Sequence, residues 1–406
     1  MPDPIIVMAV GDVSADLPDN GACFRHVRPL FAEADIVFGN CEYVYSDVIH
    51  PAPTHFAMHA APPSQAAALD IFDVMTLANN HAVDAGYAGL RSTMRTLRDL
   101  GVEPVGAGEN LAEAQAPAIV DVGNRKVAFL GFCTTFPLGF EARPNRAGLS
   151  PLRVNTFYRN PQPNIWDPGI PGVIETVPLA EDVENYRSAI QAAKSQADFV
   201  VVAHHWGMNP EVRAMLAPAE RTFDRVWRSA LESYELELAR FGVDVGADAI
   251  VAHHQTSLNG IEIRDGKPIY YGLAALVHHF HDGGARSDDA ITTDTSSIAG
   301  YPHWAFQRPE TLITGVAVIA LSDDGIEAGL VPAMILPDGG VEPLQPDDPR
   351  VPTVIDHLAS KIEQEHLDTQ IDVSALERWT LLRLLPRCQS PTPAAPVASL
   401  DRNLHG

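Results

Sequence analysis

Short apolar runs that stop abruptly at polar residues recur along this chain, and they predict buried strands. The clearest runs are Ile5–Val10, Asp35–Phe38, Met75–Leu77, Phe199–Ala203 and Ala249–Val251. Between them lie amphipathic segments with the spacing of a helix. In the segment from Tyr87 to Leu100 the apolar positions are Leu90, Met94, Leu97 and Leu100. Strands that alternate with helices indicate an α/β fold.

The rest of the chain adds antiparallel strands and further helices. One predicted pair is Ile119–Val122 with Val127–Phe132, and another is Gly315–Leu321 with Gly329–Leu336. Helices are predicted at Asp182–Gln196 and Pro218–Phe241.

The predicted domain organisation is one large domain with a C-terminal addition. Residues 1–340 form the domain, and the segment 137–180, rich in proline and asparagine, is predicted to be a long insertion or lid. Residues 341–389 are predicted to add C-terminal helices, at Val354–His366 and Val373–Leu385, and 390–406 a flexible tail.

The central feature is the turn that follows the third strand. It carries Asn79, Asn80 and His81, with Asp84 shortly after them and a predicted helix from Tyr87 onwards. In open α/β sheets such strand-to-helix turns are where ligands bind. Asparagine and aspartate are also ordinary turn and capping residues, so this stretch alone is open to both interpretations.

The recurrence of metal-binding residue types at strand ends favours a site. The residues in question are Asp12, Glu42, Asn80 with His81, His204-His205 and His253-His254. A turn or structural role explains each of them singly, but not why so many buried strands finish this way. Carboxylate, carboxamide and neutral imidazole together suit Zn²⁺, Mn²⁺ or Fe²⁺. The site is predicted to hold one or two such ions, since Glu42 could bridge a pair about 3.5–4 Å apart.

The predicted ligands imply a hydrolytic chemistry. Divalent ions activate water and polarise the oxygen under attack, in phosphoryl and carbonyl substrates alike. His81, next to Asn80, is placed to protonate the leaving group or to stabilise developing charge. Asp84 could orient His81 and fix its tautomer, or cap the following helix.

Composition narrows the classes of partner. The 406 residues carry a formal net charge of −24, which disfavours binding to a phosphate backbone. The four cysteines form no CxxC pair, so a reducing compartment is expected. No stretch of about 18 apolar residues predicts a membrane span. We therefore expect a cytoplasmic protein with a small-molecule substrate, and the oligomeric state stays open.

The motifs in this order resemble the CapA family of poly-γ-glutamate capsule-synthesis proteins, within the calcineurin-like metallophosphatase superfamily. The resemblance covers roughly residues 5 to 335. The motifs that carry it are Gly11-Asp12, Asn40-Cys41-Glu42, Asn79-Asn80-His81 with Asp84, His205-Trp206-Gly207 and Ala252-His253-His254. It implies a four-layer αββα sandwich with metals at the sheet edge.

The resemblance also implies roles for individual residues. Asp12 would bind one ion, Glu42 would bridge, and Asn80 and His205 would bind the second, with His253 or His254 completing it. The chain departs from the family pattern where Thr256 replaces a histidine and where Ala275 replaces an asparagine. We also expect the protein to lack the family's usual membrane anchor.

Two functions follow as hypotheses. The first is a soluble metal-dependent hydrolase that acts on a small-molecule ester, phosphoester or amide. The second is a non-catalytic or accessory protein of poly-γ-glutamate or capsule polymer biosynthesis. Metal content, and loss of turnover in Asn80→Ala or His81→Ala, distinguish them.

Overall fold

The computed structural model of the protein describes residues 3–15, 20–51, 60–160, 173–207, 231–278, 309–337, 339–375 and 380–387. The strands in the first half are β1 (Ile5–Ser14), β2 (Ile36–Cys41), β3 (Val44–Tyr45), β4 (Ala60–Ala61), β5 (Val74–Thr76), β6 (Glu103–Val105), β7 (Ala107–Gly108), β8 (Ala118–Val122), β9 (Arg125–Cys133), β10 (Gly148–Leu149), β11 (Val154–Arg159) and β12 (Val173–Pro178). Those in the second half are β13 (Phe199–His205), β14 (Ala249–His253), β15 (Ile261–Arg264), β16 (Lys267–Tyr270), β17 (Ala275–His278), β18 (Ile313–Ser322), β19 (Gly325–Ile335), β20 (Val341–Pro343), β21 (Gln370–Ala375) and β22 (Thr380–Leu385).

The described helices vary from one turn to four. They are α1 (Asn20–Cys23), α2 (Arg28–Phe31), α3 (Gly86–Asp99), α4 (Leu111–Ala114), α5 (Ala180–Lys194), α6 (Ser233–Val245) and α7 (Val351–Gln364), with 3₁₀ helices at Pro63–Ile71 and Pro309–Leu312. Among the described residues, no helix is long and apolar enough to cross a membrane.

Two sheets dominate the α/β fold. The larger has ten strands in the order β21-β22-β19-β18-β1-β2-β5-β6, with β17 also paired to β1 and β20 to β19. The smaller has six, in the order β15-β16-β14-β13-β9-β8. Strands β1, β2, β5 and β6 run parallel, as do β9, β13, β14 and β16. Within each sheet, the polar ends of the parallel strands therefore come to one edge.

The two sheets face each other across one shared core. Phe38 of β2 stacks on Phe129 of β9, with ring centroids 5.1 Å apart and planes inclined by 12°. Along β1, Val7 and Ala9 pack in this core, whereas Met8 and Val10 pack in a second cluster with α3. Because both faces of β1 are buried, its sequence is an almost unbroken apolar run.

Helices pack on both sheets. Leu90, Met94 and Leu97 of α3 are buried in the same cluster as Met75 of β5, as the helical spacing predicts. On the smaller sheet, the ring of Tyr186 in α5 packs edge-on against Phe132 of β9. The predicted helices at α3 and α5 and the two antiparallel pairs β8–β9 and β18–β19 are confirmed.

One predicted helix is wrong. The sequence predicts a helix over residues 373–385, but the described part of this range lies in the antiparallel strands β21 and β22, and β22 pairs with β19 of the larger sheet. Leu382 and Leu384 are buried while Arg383 and Leu385 are exposed, which is the two-residue period of a strand. The expected C-terminal helical extension therefore contains one long helix, α7. Its other described elements, β20, β21 and β22, are strands of the larger sheet.

The segment 137–180 contains β10 and the hairpin β11–β12, and residues 161–172 lie outside the described residues. Its role as a lid stays a prediction. The predicted helix Pro218–Phe241 overlaps α6 from Ser233 onwards, and its earlier part lies outside the described residues. The predicted tail, 390–406, lies outside them as well.

Candidate metal centre

Three side chains from different strand ends gather at the edge where the sheets meet. Glu42, His205 and His254 each offer a ligand atom, and these atoms all lie within 4.8 Å of one another. Glu42 follows β2, His205 ends β13 and His254 directly follows β14. The structure therefore brings together three of the predicted ligands from both sheets.

Strand pairing explains this convergence. In the larger sheet Asp12 of β1 pairs with Asn40 of β2, two residues before Glu42. In the smaller sheet His205 of β13 pairs with His253 of β14, one residue before His254. Parallel neighbours in register end at the same level, so residues far apart in sequence reach one place.

Asn80 adds a fourth donor to the cluster. Its Oδ1 atom lies 2.7 Å from Nε2 of His205, and Oε1 of Glu42 lies 3.5 Å from the same nitrogen. A carboxamide oxygen, a carboxylate and two imidazoles are a donor set that suits Zn²⁺, Mn²⁺ or Fe²⁺.

Asp12 lies on the other side of His205 and holds the surrounding backbone and side chains. Its Oδ1 atom accepts a hydrogen bond from Nδ2 of Asn40 at 2.7 Å, and its Oδ2 atom accepts one from the amide of His254 at 3.0 Å. Oδ1 is 3.9 Å from Nδ1 of His205. Asp12 therefore belongs to the site, next to the cluster of Glu42, His205 and His254.

His81 and Asp84 form a hydrogen-bonded pair beside the cluster. Nδ1 of His81 lies 2.7 Å from Oδ2 of Asp84, and His81 retains 9% exposure while Asp84 is buried. The turn that carries them is held by Asn79, whose Oδ1 atom accepts from the amide of His81 at 3.1 Å. The predicted contact between His81 and Asp84 is present.

Asn40 and Asn79 connect these parts and were not predicted as site residues. Nδ2 of Asn79 donates to Oδ1 of Asn40 and to the carbonyl of Cys41, both at 2.9 Å. Both asparagines are fully buried. The signal was available in the sequence, since each lies within two residues of a predicted ligand.

The other members of the two histidine pairs lie elsewhere. His204 points to the opposite face of β13, where Nε2 lies 2.9 Å from the hydroxyl of Tyr186 and the ring stacks on Trp206. The ring nitrogens of His253 lie 3.2 Å from the carbonyl oxygen of His204 and 3.1 Å from that of Val10. A ligand role for His253 would require it to exchange one of these contacts, and it stays a prediction.

The electrostatics of the cluster suit a divalent cation. Burial raises the pKa of Asp12 to about 7, and burial together with nearby Asp12 and Asp84 raises the pKa of Glu42 well above its usual range. Among the described residues, neither Asp12 nor Glu42 forms an ion pair with lysine or arginine. A bound cation would reverse both shifts by stabilising the ionised carboxylates.

The histidines are in the form that binds metal. Burial lowers the pKa of His205 well below its usual range, with the nearby imidazoles of His254, His253 and His81 acting in the same direction. Burial, followed by the proximity of His81, lowers the pKa of His254 to about 4. Both rings are therefore neutral near pH 7, as coordination requires. The residues present fit a divalent metal ion.

Comparison with known proteins agrees with this geometry. Residues 7–279 match the family described as bacterial capsule synthesis protein PGA_cap. The chain belongs to this family. The PGA_cap family is part of the metallophosphatase-like superfamily, which accords with a metal-type donor set at the sheet edge.

The relatives are similar over part of their length. PGA biosynthesis protein CapA of Bacillus subtilis (strain 168) is 30% identical over 271 residues, which are 66% of this chain and 59% of that protein. An uncharacterized protein, y4sH, of Sinorhizobium fredii is 28% identical over 364 residues, 74% of each chain. A hypothetical protein from Thermus thermophilus aligns at a TM-score of 0.41 and 12% identity, over 80% of this chain and 99% of that one.

Proposed function

We propose that this protein is a metal-dependent hydrolase that acts on a small-molecule ester, phosphoester or amide. The observation that carries the proposal is the gathering of Glu42, His205 and His254 within 4.8 Å. The buried carboxylates of Glu42 and Asp12 have no lysine or arginine partner among the described residues. Perturbed carboxylates at a strand-end cluster are typical of functional sites.

Four residues would hold the ion, namely Glu42, Asn80, His205 and His254. Asp12 and His253 are the further candidates if the site takes a second ion. Mn²⁺, Zn²⁺ and Fe²⁺ all suit this set of donors. Such an ion, when bound, supplies an activated water and polarises the oxygen of the bond under attack.

The protein's own residues His81 and Asp84 would supply the proton that the leaving group needs. With Nδ1 of His81 bonded to Oδ2 of Asp84, the proton that His81 delivers to a leaving group is the one on Nε2. Asp84 keeps the ring in that orientation and stabilises the imidazolium form. The residual exposure of His81 gives a substrate access to it.

We also propose that the α/β fold is the four-layer αββα sandwich of the metallophosphatases. Support comes from the stacking of Phe38 on Phe129 between the sheets, with α3 packed on one sheet and α5 on the other. The cytoplasmic location remains a prediction.

The test combines elemental analysis with a substrate screen. The purified full chain should contain Mn²⁺, Zn²⁺ or Fe²⁺ and should turn over at least one compound in a panel of small phosphoesters, esters and amides. Asn80→Ala should lose both metal and turnover, whereas His81→Ala should keep the metal and lose turnover. A chain that binds none of these ions, and whose melting temperature they leave unchanged, would refute the proposal.

The second candidate is an accessory role in poly-γ-glutamate or capsule polymer synthesis, without catalysis. Membership of the PGA_cap family and the name of the B. subtilis relative favour it. This role predicts that the chain binds poly-γ-glutamate as well in the Asn80→Ala and His81→Ala variants as in the wild type. Binding that depends on those residues would argue for the hydrolase instead.

A further inference from the structure

The first turn of α6 holds the chain just beyond two of the candidate ligands. The amide of Gly207, two residues after His205, donates to the hydroxyl of Tyr234 at 2.7 Å. Nε2 of Gln255, the residue after His254, donates to Oε1 of Glu235 at 2.8 Å. Adjacent residues of one helix thus contact the ends of both strands.

The backbone of His254 needs such support. Its φ of 88° lies in the left-handed region, which residues with a Cβ atom rarely adopt. A conformation of this kind persists only where the surrounding structure holds it. Described contacts on either side of it include the carboxylate of Asp12, which accepts from the amide of His254, and the carboxylate of Glu235, which accepts from the side chain of Gln255.

The side chains between α6 and the two strand ends are closely packed. Tyr234, Glu235 and Gln255 are 7%, 0% and 2% exposed. Gly207 has a φ of 85°, and a Cβ atom there would lie 2.2 Å from Nε2 of Gln255 and 2.9 Å from Oε1 of Glu235. The ends of β13 and β14 are therefore locked to each other as well as to α6.

The helix turn is itself fixed. Oε2 of Glu235 accepts from the amide of Glu232 at 2.6 Å as part of a capping box, so one carboxylate both closes the helix and holds Gln255. The hydroxyl of Tyr234 lies 3.3 Å from Oγ1 of Thr134, and the amide of Thr134 donates to the carbonyl of His205 at 2.9 Å.

We propose that Tyr234 and Glu235, the latter acting through Gln255, are positioning residues that set the relative placement of the His205 and His254 imidazoles and so tune the affinity and geometry of the metal centre. The inference rests on the proposed function, because it assumes that these imidazoles bind an ion. Groups that orient ligand residues without touching the ion typically change metal affinity by about 10–100-fold when they are removed.

The experiment titrates Co²⁺ into the metal-free full chain and records both affinity and the visible absorption spectrum, which reports coordination geometry. The variants are Tyr234→Phe, which removes one oxygen atom, and Gln255→Ala. Tyr270→Phe is the matched control, because its buried hydroxyl donates to the carbonyl of Gly329, an equivalent loss within the sheets. Thermal unfolding of each metal-free variant shows whether it is folded.

Tyr234→Phe and Gln255→Ala should each weaken Co²⁺ binding by about 10–100-fold and alter the spectrum, whereas Tyr270→Phe should change neither. Variants that only melt at a lower temperature, with wild-type affinity and spectrum, would overturn the inference and leave the proposed function intact. If Gln255→Ala does not fold, Gln255→Met, which keeps most of the side-chain volume and removes the donating Nε2 atom, takes its place. A wild-type chain that binds none of Co²⁺, Mn²⁺, Zn²⁺ and Fe²⁺ would overturn both.

Discussion

Nε2 of His205 lies 2.7 Å from Oδ1 of Asn80, although 125 residues separate them in the chain. His205 ends a strand of the smaller sheet, and Asn80 lies on the turn after β5 of the larger one. An ion held by both residues would therefore join the two sheets. Binding should stabilise the folded domain as a whole, since the unfolded chain cannot assemble the same donors.

His205→Ala and His204→Ala provide a paired test of this arrangement. His205 faces the cluster and His204 faces Tyr186 on the other side of β13. His205→Ala should abolish the rise in melting temperature that Mn²⁺ or Zn²⁺ produces. For the wild type, an ion at a hundred times its Kd should add about 2.7 kcal/mol to the free energy of unfolding.

His204→Ala is the control for lost packing. It removes a ring stacked on Trp206 at 4.3 Å, so it should lower the melting temperature of the metal-free protein. The rise in melting temperature that the ion produces should nevertheless be the same as in the wild type. If the ion raised the melting temperature of His205→Ala but not that of His204→Ala, the ion would lie on the His204 face of β13, and the described arrangement would be contradicted.

In the metal-free protein, the buried carboxyl group of Asp12 makes the free energy of unfolding depend on pH. Its pKa is about 7 when folded, against 3.8 in its ordinary state, so the folded state keeps a proton that the unfolded state releases. The Asp12 contribution to stability is therefore complete below about pH 4 and is lost as the pH rises towards 7. The asparagine in Asp12→Asn cannot ionise. As the pH rises from about 4 to 7, the free energy of unfolding of this variant should therefore increase relative to that of the wild type.

The gain should approach about 1.4 kcal/mol per pH unit, measured by denaturant unfolding in the presence of a chelator. The buried histidines, whose lowered pKa values make stability rise with pH, are present in both proteins. Asp12→Asn also removes the charge repulsion that helps to raise the pKa of Glu42, so the difference between the two proteins reports both carboxylates. A difference that does not vary with pH would mean that Asp12 is ionised in the folded metal-free protein. With the ion bound, the wild type should become the more stable of the two.

Gly11→Ala tests the close contact that positions Asp12. A Cβ atom at Gly11 would lie 1.8 Å from the carbonyl oxygen of Ala274, the same oxygen that accepts the amide of Asp12 at 3.0 Å. Because the obstacle is backbone, β1 and the chain before β17 must separate. We expect a loss of about 3 kcal/mol or an insoluble protein, measured by denaturant unfolding. Unchanged stability and metal content would contradict the described contact.

The strands and their polar ends could be predicted because the apolar runs are short and each stops at a ligand-type residue. The apolar pattern alone could not say which histidine of each pair faces the cluster, and only the resemblance to the CapA family pointed to His205 in the first pair. Both faces of β13 are buried, so the apolar pattern there has no period, and only the pleat decides between His204 and His205. The same limit applies to His253, which lies between two backbone carbonyls.

Contacts made across long sequence separations were also beyond prediction. Tyr234 reaches Gly207 from 27 residues away, and neither residue type signals a partner. The sequence of the hairpin β21–β22 does not distinguish a strand from a helix, because the spacing of its leucines is compatible with both. The neighbouring edge of β19 determines the outcome, since it offers backbone partners to β22.

His81→Asn and Asp84→Asn should separate proton transfer from metal binding. Neither residue belongs to the group of Glu42, His205 and His254, so both variants should keep the wild-type metal content and the metal-dependent rise in melting temperature. His81→Asn should lower turnover by about 10²–10⁴-fold, because the leaving group loses its proton donor. Asp84→Asn should lower it less, since the ring remains but loses its anionic partner at 2.7 Å.

The size of these effects should depend on the leaving group. A substrate whose leaving group is a weak base needs little protonation, so it should lose far less turnover in His81→Asn than one with a strongly basic leaving group. Equal losses for both substrates would assign His81 to substrate binding instead. Loss of the metal from either variant would show that the pair of His81 and Asp84 supports the ligands, and the assigned role in proton transfer would then have no basis.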